Sequence, residues 1–97
     1  MSDWAQAAIE LLSKGFPVTI VPRGHSMEPL VRDGETVHLT PVAADAVTPG
    51  DIVLCRVRGC SYLHKVIATA HGRALIGNNR GHTNGWTSTV YGKVRRE

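Results

Sequence analysis

The sequence predicts a mainly β protein, a compact coiled sheet or barrel-like body with one N-terminal α-helix. Two observations predict it. From Phe16 onward the chain breaks into short β-branched runs separated by Gly, Pro, Asp and Asn, the signature of several short strands at close spacing. Before Phe16, apolar residues recur instead at helical spacing, which marks a single amphipathic helix.

Each element has its own signal. Trp4, Ala7, Ala8, Leu11 and Leu12 form the helical stripe, Asp3 with Gln6 offers a capping pair, and Gly15 suits the stop, so a helix is expected over about 4–14. A β body over about 16–94 follows. Its strands are expected at 18–21, 36–40, 51–57, 61–69, 74–76 and 87–94. Arg58-Gly59 and His71-Gly72 read as tight turns between strands. No internal repeat or linker interrupts the chain, so residues 1–97 read as one domain. A chain of this size buries roughly 60–65% of its unfolded surface, enough for one modest core.

Composition excludes several classes. No apolar run approaches the roughly 18–20 residues needed to span a bilayer. The N-terminus carries Asp3 and Glu10 and lacks a basic leader, so a soluble, cytoplasmic protein is expected. Two cysteines, Cys55 and Cys60, are too few for a disulfide framework. Cys55, Cys60 and His64 lack a fourth metal ligand at zinc-finger spacing, and no phosphate-cradling Gly loop is present. No cofactor or metal is implied. The formal net charge is +3, and Asp51 is the last acid before Glu97, with eight Lys and Arg between them. Only Tyr62, Trp86 and Tyr91 stand among those charges and no recognition helix does, which disfavours nucleic acid; an acidic peptide is equally compatible with the basic half.

Chemistry concentrates in two segments, Gly24-His25-Ser26-Met27-Glu28-Pro29 and Tyr62-Leu63-His64-Lys65-Val66-Ile67. A serine hydroxyl is a poor nucleophile until a base takes its proton, and histidine, with a pKa near 6.5, suits that task. By strand alternation His64 shares a face with Tyr62 and Val66, and Lys65 takes the other face. His25, next to the serine, is a weaker candidate base. His38, His71 and His82 read as solvated.

Ser26-Met27-Glu28-Pro29 resembles the Ser-Met-x-Pro signature of signal peptidase I-like serine proteases, a superfamily shared with the self-cleaving SOS repressors. Four further segments are similar in order: Arg32-Asp33-Gly34-Glu35-Thr36-Val37, Pro49-Gly50-Asp51-Ile52-Val53, the His64 strand, and Gly77-Asn78-Asn79 where the family has Gly-Asp-Asn. The resemblance runs from about Val18 to Val94 and implies a folded-up β-sheet body. It implies Ser26 as nucleophile and His64 as general base. The amides of Ser26 and His25 would form the oxyanion hole, and Gly24, Met27 and Pro29 would lie along the substrate, Met27 mainly as a packing residue.

A histidine base is normally oriented by a third group. The family's Asp position reads Asn78 here, and no acid occurs from Ile52 to Arg96. Asn78 is therefore the expected orienting residue. Asn79, Asn84 or a backbone carbonyl could take its place, and Asp33 is a more remote option.

The resulting expectation is a serine endopeptidase with a Ser-His dyad that cleaves a peptide or precursor protein. The alternative is a peptide-binding module that keeps the groove but has lost catalysis with the Asp. A self-cleaving repressor domain is disfavoured, since only 25 residues precede Ser26 and none of their bonds is Ala-Gly or Cys-Gly.

Overall fold

The protein, described by a computed structural model over residues 5–24 and 27–95, has helix α1 (Gln6–Ser13) followed by seven strands. These are β1 (Val18–Ile20), β2 (Val37–Pro41), β3 (Ile52–Val57), β4 (Cys60–Ala70), β5 (Arg73–Gly77), β6 (Thr83–Thr87) and β7 (Val90–Val94). One 3₁₀ turn, Ala44–Ala46, lies between β2 and β3. All pairings are antiparallel, in the order β1-β2-β7-β3-β4-β5-β6. The mainly β architecture with one short N-terminal helix is as the sequence predicts. The body is one open, coiled sheet.

Helix α1 buries Ala8, Ile9 and Leu12, with Ala5 below them, a stripe at i, i+3, i+4 and i+7. Ala7 and Leu11, placed on the apolar stripe by spacing, are instead exposed. The stop is as expected. Gly15, at φ +90°, donates to the Leu12 carbonyl, and the Phe16 amide donates to the Leu11 carbonyl. This pair of bonds satisfies the last carbonyls of the helix. Asp3 and Trp4, the expected cap and first apolar residue, lie outside the described residues.

Both expected tight turns form. Arg58-Gly59 and His71-Gly72 have positive φ at both central residues, the geometry whose twist matches antiparallel strands. The expected strand over 87–94 is a correction. Two strands replace it, β6 and β7, because Thr87 and Thr89 break the run: the Thr87 hydroxyl donates to the Arg56 carbonyl and accepts from the Thr89 amide. β6 is hidden in sequence because Asn84-Gly85, a pair that strands disfavour and turns favour, interrupts the strand-forming Thr83 and Trp86.

The sheet separates two apolar clusters. Helix α1 packs with Met27, Val31, Val37, Leu39, Ile52, Leu54 and Leu63 on one side. Val53, Cys55, Val57, Val66, Ala74 and Ile76 fill the other. Burial in the second cluster pushes the Cys55 thiol up to about 12, because a thiolate there would lose its hydration. At Gly92 in β7, an added Cβ would sit 2.8 Å from the Thr40 carbonyl oxygen and 2.9 Å from a Leu12 methyl. Gly92→Ala must therefore push β7 from β2 or displace α1. We expect a loss of about 1–3 kcal/mol in urea unfolding, the usual cost of overpacking.

Candidate active site

The segment entering the site is fixed by short-range bonds. Gly24 has φ +109°, which favours a residue without Cβ, and its amide donates to Asp33 Oδ1 at 2.8 Å. The Arg32 amide donates to Glu35 Oε1 at 3.0 Å. The two acids of the Arg32–Val37 segment thus hold the loop in shape, and Asp33 serves Gly24 rather than a histidine. Met27 is buried among Val31 and Leu63, the packing role its chemistry suggests. Pro29 is exposed in the turn that follows. Ser26 and His25, the expected nucleophile and oxyanion-hole amides, lie outside the described residues.

His64 comes from the first half of β4, opposite Val53 of β3. Its ring stacks on Tyr62 with centroids 5.0 Å apart and planes inclined by 28°, so the alternation expected over 62–66 holds. The irregularity in β4 comes later, between Val66 and Ala68. Lys65 accordingly goes elsewhere: its Nζ donates to Asn79 Oδ1 at 3.1 Å. Asn79 in turn donates through Nδ2 to the Glu28 carbonyl at 2.8 Å, and Arg80 approaches the Glu28 carboxylate at 4.0 Å. The β5–β6 loop therefore grips the turn just after Ser26.

The partner of the imidazole differs from the sequence expectation. His64 Nδ1 lies 2.7 Å from Asn84 Oδ1. Asn78 is occupied otherwise, its Oδ1 accepting from the Arg80 and His82 amides at 2.8 and 3.0 Å. These bonds, with the Asn78 amide on the His82 carbonyl, close the β5–β6 loop and deliver Asn84 on β6. The reason is geometric: Asn78 is committed to its own turn. Because an amide oxygen only accepts, Nδ1 carries the proton and Nε2 is the basic nitrogen of the ring. The pKa of His64 is lowered from its ordinary 6.5, first by burial; the Asn84 bond raises it in opposition, and His82 adds a further lowering. The lowering favours the uncharged ring.

A groove of about 260 Å³ joins these parts. Gly24 and Met27, which flank positions 25 and 26, line it together with Ser61, Tyr62, Leu63 and His64. β5 pairs with β4 only from Lys65 onward, so among the described residues no ladder covers the 60–64 edge on the side away from β3. Among the described residues no group of three or more His, Cys, Asp or Glu could hold a metal ion. No helix there is long and apolar enough to cross a membrane.

Among known proteins, a family model described as Peptidase S24-like matches residues 8–89. The match includes both chemical segments and the Asn84 strand. Neither the curated proteins nor the solved structures gave a match.

Proposed function

The chain belongs to the Peptidase S24-like family, and from that footing we propose that it is a serine endopeptidase cleaving a peptide or precursor protein through a Ser26–His64 dyad, with Asn84 orienting the imidazole. The observation that carries this reading is the shared groove: the two described neighbours of Ser26, Gly24 and Met27, line it with His64, whose Nδ1 is already held by Asn84. The tautomer this bond favours is the one a general base needs.

In the proposed reaction Nε2 takes the Ser26 proton as the hydroxyl oxygen attacks the scissile carbonyl carbon. Backbone amides at the Ser26 turn receive the developing oxyanion. The imidazolium then passes its proton to the leaving amine, and water, activated by the same nitrogen, hydrolyses the acyl-enzyme. The substrate lies extended along the 60–64 edge of β4, where strand addition supplies backbone bonds. Lys65 takes no part, since its ammonium is tied to Asn79.

Digestion of a diverse peptide library, with new N-termini read by mass spectrometry, tests the reading. Cleavage at one recurrent sequence is expected. Failure to cleave any peptide, with peptide binding retained, would favour the second reading, a binding module. The observation behind that alternative is that Asn84 supplies a dipole and not a charge to the imidazolium.

The role of Asn84 has its own expected outcome. Because burial disfavours the protonated ring, kcat/KM should rise with pH through a midpoint below 6.5 and be flat above neutrality. Asn84→Asp places an anion beside Nδ1, which favours the imidazolium, so the midpoint moves to higher pH. Asn84→Leu should cost about 10–100-fold in kcat, the usual scale for a lost orienting group. Asn78→Ala should leave the midpoint in place.

A further inference from the structure

The groove has a marked charge asymmetry. Its floor is apolar, built from the buried Met27, Val31 and Leu63, and its rim carries the exposed side chains of Val21, Arg23 and Arg32. No carboxylate is among the described residues that line it. Of the acids near it in the chain, Asp33 and Glu35 have oxygens on the Gly24 and Arg32 amides, and the Glu28 carboxylate lies 4.0 Å from Arg80. Among the described residues, neither guanidinium forms an ion pair with a carboxylate. Arg23 also lies close over the turn that follows, since a Cβ placed on Gly34 would come 3.3 Å from its Nη1. Arg23 is thus laid against a turn that the Asp33 and Glu35 bonds fix in shape.

From this juxtaposition we infer that the peptide taken by the groove carries an acidic side chain close to the residue seated on the apolar floor, and that Arg23 and Arg32 select it. The inference rests on the proposed reading of the groove as a peptide site. A planar, permanently charged guanidinium matches a carboxylate through paired N–H donors. At an exposed rim each such pair contributes modestly, so the arginines set preference and encounter rate, while the floor and the β4 edge supply most of the affinity. The basic surplus beyond Asp51 would draw an acidic segment from a distance.

The test is a binding array, read by fluorescence polarisation on the Ser26→Ala protein so that hydrolysis is not required. Labelled extended peptides of small apolar residues carry one Asp, Asn or Lys at each position in turn. At low salt, Asp should bind about three- to tenfold tighter than Asn at one or two adjacent positions, and Lys should bind more weakly than Asn. The margin should shrink as salt rises. Arg23→Gln with Arg32→Gln should abolish it without lowering the melting temperature, and Arg23→Glu with Arg32→Glu should turn the preference toward Lys. Equal binding of Asp and Asn everywhere, or a preference that survives both Gln changes, overturns this inference alone. Absence of binding by every peptide overturns the peptide-groove reading together with it.

Discussion

A Ser26→Ala protein is expected to lose fluorophosphonate labelling entirely and to lose peptide hydrolysis down to background. Loss of the nucleophile in a serine hydrolase costs on the order of 10⁶ in kcat, because every covalent step disappears at once. The described residues on either side are held by other groups: Met27 in the core, Gly24 through its amide on Asp33 and Glu28 through its carbonyl on Asn79. The unfolding transition should therefore stay where it is. Intact-mass spectrometry after labelling reads the result directly. Labelling that persists on Ser26→Ala would remove the dyad from consideration.

Removal of the proposed base is the second large effect. His64→Ala should lower kcat by about 10²–10⁴ while KM changes little, the range expected for general-base catalysis. It should also erase the acidic limb of the pH profile, since no other group would then titrate on the reaction path. Lys65→Ala is the informative partner. Lys65 bonds Asn79, which bonds the Glu28 carbonyl, so its loss loosens the turn after Ser26 without touching the proton path. A small fall in kcat with an unshifted pH midpoint is expected. If Lys65→Ala instead loses the greater part of kcat and the remaining rate still climbs above pH ~9, lysine is the base and the strand assignment of roles is reversed.

Much of this was legible in the sequence, and the reason lies in how local the signals are. Alternation from Tyr62 to Val66 correctly put His64 beside Tyr62 and sent Lys65 elsewhere, since pleat geometry needs only adjacent residues. Arg58-Gly59 and His71-Gly72 were readable because a two-residue turn is decided by its own backbone. The partner of His64 was harder. Asn78 stands in a motif position, yet its amide oxygen bonds backbone two and four residues on, a competition that sequence spacing does not rank. Asn84 was one of several options, since β6 could not be assigned from Thr-Asn-Gly-Trp, and only the β5–β6 pairing carries that residue to the ring. Asp33 and Glu35 were likewise visible as motif acids, but their work on the Gly24 and Arg32 amides appears only once the loop is closed.

The order of strands in the sheet bears on when the groove can exist at all. β2 pairs with β7, and β7 pairs with β3, so the ladder that joins β1–β2 to β3–β6 runs through the strand latest in the chain. The Val21–Gly24 wall belongs to the first block and the Ser61–His64 wall to the second. In a polypeptide leaving the ribosome, the two walls have no shared sheet until Val94 has emerged. On the proposed reading, the peptide groove can form only once β7 has been made and paired with both β2 and β3.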